Sequence, residues 1–224
     1  MDYHDKDQPL KFDKIKEYVE ERCKKYDIDS SHDITHALRV VELALYFINN
    51  DSLSDDEAYV CILASMLHDT IDKKYMKEDE AANEVESWLL AQKLKPEIIS
   101  ATMKIITNMS YSTCLKKKQR GLKPYPSDLG RFISAYHIVR HADLIDAYDP
   151  QRCYDYVLSK LTDIYPTDES QKKQVYYTFT NRIFRYLSDG WIFRPDAVEI
   201  SKRRQLDAIE WFKINFNFHY SDVA

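Results

Sequence analysis

The chain has 224 residues, 44% hydrophobic and 31% charged, with a formal net charge of −5: a soluble composition, long enough to bury a substantial core. Three glycines and seven prolines argue against a turn-rich sheet fold and a glycine-rich phosphate loop, and the negative charge against bulk nucleic-acid binding. Cys23, Cys61, Cys114 and Cys153 form no C-x-x-C pair, so neither a zinc signature nor a disulfide framework is read. No signal-peptide pattern and no apolar run of membrane-spanning length is found, so a cytoplasmic protein without a membrane partner is expected.

Helical periodicity runs almost end to end. Lys11 to Tyr26 carries Phe12, Ile15, Tyr18, Val19 and Cys23 at spacings of three and four. Asp33 opens a second helix whose apolar face is Ala37, Val40, Val41, Ala44, Leu45 and Ile48. Ser54-Asp55-Asp56-Glu57 is a capping-box signature, and the apolar run Ala58 to Ala64 after it reads as a buried helix. Further helices are expected over Glu78 to Leu94 and, with proline in its first turn, Pro96 to Asn108.

Ser110 to Asp128 breaks the pattern. Lys116, Lys117, Lys118, Arg120 and Lys123 stand there beside Gly121, Pro124 and Pro126, which predicts a structureless loop of the kind that forms lids or disordered segments. Periodicity returns over Leu129 to Ala147, Gln151 to Ile164, Glu169 to Leu187 and Pro195 to Phe216, with Gly190 suited to a helix end. Most of the seventeen tyrosines, Tyr18 and Tyr46 among them, fall at core spacing. The expectation is an all-α helical bundle in one domain over residues 1–224.

The polar residues that interrupt these helices are the informative ones. His68-Asp69 ends the apolar run, where burying an imidazole and a carboxylate together is costly unless each finds a partner such as a cation. His32 and His36 lie one helical turn apart. Asp143 and Asp146, three apart among Leu144, Ile145 and Ala147, do not suit a solvated face; a metal ligand and a carboxylate that supports one would explain them. Arg39 is expected to pair with a carboxylate such as Asp146. His137 and His141 point away from Asp143 and read as a polar stripe.

In this order, His36-Ala37-Leu38-Arg39-Val40, Leu67-His68-Asp69 and Ala142-Asp143-Leu144-Ile145-Asp146-Ala147 resemble the H…HD…D signature of the HD superfamily of metal-dependent phosphohydrolases. The surrounding segments look most like its small single-domain branch, typified by the bacterial YpgQ and YedJ proteins. The resemblance covers about residues 18–156, with C-terminal helices over 165–218 expected to pack on that core. It implies His36, His68, Asp69 and Asp143 as ligands of one divalent ion, Mn²⁺ before Mg²⁺, Fe²⁺, Co²⁺ or Ni²⁺. Asp69, Asp72 and Lys73 become the catalytic candidates, with Asp72 on the attacking water and Lys73 against phosphate charge.

Phosphate would also meet His32, and a closing basic loop could bring Lys117 and Arg120. The implied activity is hydrolysis of a small phosphorylated metabolite, a nucleoside triphosphate cleaved to pyrophosphate and a monophosphate being favoured. A 5′-nucleotidase and a non-catalytic nucleotide-binding regulator are the alternatives. Two-metal and iron-oxygenase variants are disfavoured by the missing extra histidines. A monomer or homodimer is expected.

Overall fold

The computed structural model describes residues 11–218, and every regular element among them is a helix. Helix α1 (Phe12–Lys25) buries Ile15, Val19 and Arg22, while Phe12 at its first position is 40% exposed. Helix α2 (Ile34–Asn49) starts at Asp33, whose carboxylate accepts from Thr35 N at 2.8 Å. Its buried stripe is Ala37, Val40, Val41, Ala44 and Phe47. Leu45 and Tyr46, expected in the core, are instead exposed, because they turn about 100° and 200° away from Ala44.

Helix α3 (Asp55–Leu67) carries the expected capping box: Ser54 N donates to Glu57 Oε2 at 3.0 Å, and Glu57 N to Ser54 Oγ at 3.4 Å. From Val60 to Leu67 all but Ile62 is buried, and a helix with no polar face must lie inside. It is wrapped by α1, α2, α5 (Pro96–Ile106) and the later α7 (Ile133–Asp146). The next turn tightens to a 3₁₀ helix, His68–Ile71. Arg22 fixes that turn: its Nε and Nη2 donate to Thr70 O at 3.1 and 2.8 Å, and its Nη1 to Glu84 Oε2 at 2.6 Å on α4 (Glu78–Ala91).

The segment expected to be a loop holds helix α6 (Tyr111–Gln119). Ser110 caps it, accepting from Thr113 N at 3.3 Å, and Gly121 ends it at φ 71°, with Leu122 N donating to Lys117 O at 3.0 Å. The lysine run disguised a helix because Lys116, Lys117 and Lys118 occupy its last turn, where positive charge opposes the helix dipole.

Helix α7 is followed by α8 (Pro150–Lys160) and α9 (Asp168–Thr178). The continuous helix expected to Leu187 is broken by a π turn, Phe179–Ile183, before the short α10 (Arg185–Ser188). Phe184 N reaches back five residues to Phe179 O at 2.8 Å, the signature of that wider turn. Gly190, at φ 71°, terminates α10 as expected. Helix α11 (Pro195–Phe216) packs on α7 and α8. Among the described residues no helix is long and apolar enough to cross a membrane.

His137 and His141 do not form a solvated stripe. His141 is fully buried with Phe193 4.6 Å away, and His137 packs between Tyr125, Tyr136 and Phe193. Burial, with the Arg140 charge, pushes His137 from its ordinary 6.5 down to about 4. The unfolded chain therefore takes up a proton at this position below pH 6.5, and the folded chain only near 4. The contribution is fully present above pH 6.5 and is lost as pH falls through that window. In urea unfolding at pH 7.5 and 5.0, a His137→Gln variant should lose about 1–2 kcal/mol less than wild type on acidification. Equal losses would show that His137 protonates as easily folded as unfolded.

Candidate metal centre and phosphate pocket

Three helices end at one point. His36 comes from the first turn of α2, His68 and Asp69 from the 3₁₀ turn after α3, and Asp143 from the last turn of α7. His36 Nε2 and His68 Nε2 face each other at 3.0 Å. Asp69 Oδ2 is 3.4 Å from each, and Asp143 Oδ1 is 3.5 and 3.7 Å from them.

The outer ring nitrogens bear on the tautomers. His68 Nδ1 lies 2.8 Å from Ser65 O, a carbonyl that can only accept, so Nδ1 carries a proton. His36 Nδ1 lies 2.7 Å from both Asp146 Oδ2, an acceptor, and Arg152 Nη1, a donor; protonated toward Asp146 it leaves a lone pair on Nε2, and accepting from Arg152 it leaves the proton there. Arg39 Nε and Nη2 hold Asp146 at 2.8 and 3.2 Å, the pairing the sequence suggested. Arg152 Nη1 donates to Ser31 O at 2.9 Å and sits 3.5 Å from Asp146 Oδ2. Burial alone would raise the Asp146 carboxyl, but the His36 bond, the Arg152 charge and the Arg39 bond hold it well below the usual carboxylate range.

With both Nδ1 atoms protonated, the two Nε2 lone pairs point at each other beside a carboxylate oxygen, and a cation between them relieves the repulsion. Asp69 Oδ2 is buried and has no hydrogen-bond partner, an orphan that such a cation would satisfy. His36, His68 and Asp69 form a group that could hold a metal ion, and Asp143 faces both imidazoles. Separations of 3.0–3.7 Å match the edges of a coordination shell with bonds of about 2.1 Å. The residues fit a divalent ion.

The cluster opens into a cavity of about 230 Å³. His32, Asp72 and Lys73 line it, joined by Lys74, Arg152, Arg182 and the N-terminal residues of α6 from Ser110 to Thr113. A chain of contacts holds His32: Lys74 Nζ lies 2.9 Å from its Nε2, and Tyr75 Oη 3.0 Å from its Nδ1. Tyr75 and Ser31 in turn donate to Asp29. Asp72 accepts from Lys74 N at 2.9 Å, and Lys74 Nζ lies 3.2 Å from its other oxygen.

Lys117 and Arg120 are not among the cavity walls, which corrects their assignment to substrate. Lys117 Nζ donates to Asn108 Oδ1 at 2.7 Å, and Arg120 is exposed at the end of α6 that points away from the site. Sequence reading missed Arg152 and Arg182 as cavity residues. Each stands in a helix with no polar spacing to mark it, so only the packing of α8 and the π turn reveals it.

Among solved structures, the chain is similar to Bacillus subtilis YpgQ in complex with ADP, with TM-score 0.63 and 21% identity over 91% of this chain and 96% of that one. It is similar to a second crystal structure of B. subtilis YpgQ with TM-score 0.63 and 20% identity, covering 91% of this chain and 94% of that one. At this identity the likeness is one of fold. No family model matches the chain, and no curated protein matches it.

Elemental analysis after incubation with Mn²⁺ and desalting tests the centre. Wild type should retain the ion, His68→Ala and Asp69→Ala should lose it, and Asp146→Asn should bind it roughly 10–100-fold more weakly through loss of the His36 support. Full occupancy in both of the first two variants would remove the assignment.

Proposed function

We propose that the protein is an HD-type metal-dependent phosphohydrolase acting on a nucleotide, with a nucleoside triphosphate as the favoured substrate. The observation that carries this reading is the pair of facing imidazole Nε2 atoms, flanked by two carboxylates, at the floor of a cavity lined with cations. The fold likeness to YpgQ in complex with ADP supports a nucleotide as the ligand.

In this reading His36, His68, Asp69 and Asp143 hold the ion. A set of imidazole and carboxylate with no thiolate suits Mn²⁺ within the series Mn²⁺, Mg²⁺, Fe²⁺, Co²⁺ and Ni²⁺. Such an ion supplies Lewis acidity toward a phosphoryl oxygen and makes a neighbouring water more acidic. Asp72 orients that water and accepts its proton as the water oxygen bonds to the α phosphorus. The bond from the α phosphorus to the bridging oxygen breaks, and its electron pair leaves with pyrophosphate.

Charge balance supports a polyanion in a chain of net charge −5. Asp69, Asp72, Glu78 and Asp143 face Lys73, Lys74, Arg152 and Arg182 around the cavity, four carboxylates against four cations. A divalent ion tips that balance positive, and the N-terminus of α6 adds its partial positive charge.

Two measurements test the reading. Asp72→Asn should keep the ion and lose about 10²–10⁴-fold in turnover at saturating substrate; an unchanged rate would remove Asp72 from the chemistry. Hydrolysis of a nucleoside triphosphate in ¹⁸O-water should place the label in the monophosphate and leave pyrophosphate unlabelled. Orthophosphate as the first product would exclude attack at the α phosphorus.

A further inference from the structure

The cations around the cavity are unequally committed. Lys74 is bound to Asp72 and lies against His32. Arg152 is engaged by Ser31 O beside Asp146. Among the described residues Lys73 and Arg182 have no carboxylate partner, and of the two only Arg182, although exposed, has its side chain held. Its Nε donates to Tyr186 Oη at 2.9 Å, and its guanidinium lies over the Tyr111 ring, 4.5 Å from the centroid. Tyr186 is fully buried, so this anchor does not move with solvent.

Arg182 owes its position to the π turn. The bond from Phe184 N to Phe179 O closes a wider loop than an α helix allows, which projects Arg182 toward the cavity from a helix whose neighbours pack into the aromatic core. Among the described residues the two Nη groups have no protein acceptor, while Nε and the ring face fix the plane. A planar, pre-oriented guanidinium presents parallel donors that match two oxygens of one phosphoryl group.

We propose that Arg182, set by Tyr186 and Tyr111, binds the phosphoryl group farthest from the attacked phosphorus and thereby selects substrates with a chain of two or more phosphates. This rests on the phosphohydrolase reading for the attacked end, but the grip itself is a binding property. A nucleoside monophosphate leaves the Arg182 edge empty. A diphosphate or triphosphate fills it while its inner phosphate stays over the His and Asp cluster.

Isothermal calorimetry of the Mn²⁺-incubated protein with inorganic pyrophosphate, and separately with orthophosphate, tests this. Arg182→Lys keeps the charge and loses the planar edge, so pyrophosphate affinity should fall about 10–100-fold. Tyr186→Phe keeps the ring and loses the Nε acceptor, and should weaken pyrophosphate about 3–10-fold. Orthophosphate affinity should shift far less in both, and circular dichroism should match wild type. Wild-type protein that does not bind pyrophosphate, an unchanged pyrophosphate affinity in Arg182→Lys, or equal losses for the two anions would each overturn the inference. Arg182-dependent pyrophosphate binding in a protein that hydrolyses no nucleotide would uphold it and sink the hydrolase reading instead. Hydrolysis that proceeds with Arg182→Lys at wild-type kcat and KM would do the reverse.

Discussion

The opposed Nε2 atoms of His36 and His68 are the constraint on which the rest depends. Two ring nitrogens 3.0 Å apart next to a buried, unpartnered Asp69 oxygen are unfavourable without a cation or a proton between them. They are nevertheless imposed from outside, by Ser65 O on one ring and Asp146 on the other. Each support is itself held: Ser65 by the buried C-terminal half of helix α3, Asp146 by Arg39, with the Arg152 charge beside it. Arg22, far from the cluster in sequence, keeps the turn of His68 and Asp69 tight by occupying Thr70 O. The fold thus concentrates electrostatic cost at one point, in a group of residues that could hold a metal ion.

The same supports set the charge balance of the cavity in an acidic chain. Arg39 is spent on Asp146 and Lys74 on Asp72, which leaves the cavity near neutrality before an ion enters. Fixed donors rather than mobile ones then meet the ligand. The Ser110-capped start of α6 and the clamped Arg182 are pre-oriented by backbone and ring contacts, so less conformational entropy is lost when an anion arrives.

The all-helical fold was legible in the helical periodicity; His68–Asp69 and Asp143 stood out as polar groups in apolar runs, and His36 was singled out as a ligand only through the family resemblance. The Ser54 capping box was legible for a similar reason: its residues act on neighbours three positions away. What could not be read depended on distant packing. Tyr46 shares the composition of the core but is nearly 160° from the Val40–Ala44 stripe, so its ring is exposed. His141 looked polar, yet Phe193 from a segment fifty residues on covers it. Arg152 and Arg182 have no local signature, because helices α8 and the π turn gain their orientation only by docking.

The basic run shows how one missed helix reverses a functional argument. Read as a loop, Lys116 to Arg120 could fold over a phosphate chain. As helix α6, a segment of nine residues spans about 13 Å, and its polarity separates the two ends. Ser110 to Thr113 meet the cavity, and the lysines stand at the opposite terminus, where Lys117 returns to Asn108 and Lys118 Nζ donates to Asp189 O. The positive end of the dipole and the positive side chains cannot both face the same anion in a single helix whose last turn carries the lysines. On this side the cavity is faced by backbone N–H groups, with the lysines stabilising the helix that presents them; under the proposed function those N–H groups would meet the phosphate. Charge composition alone located the right segment but assigned its work to the wrong end.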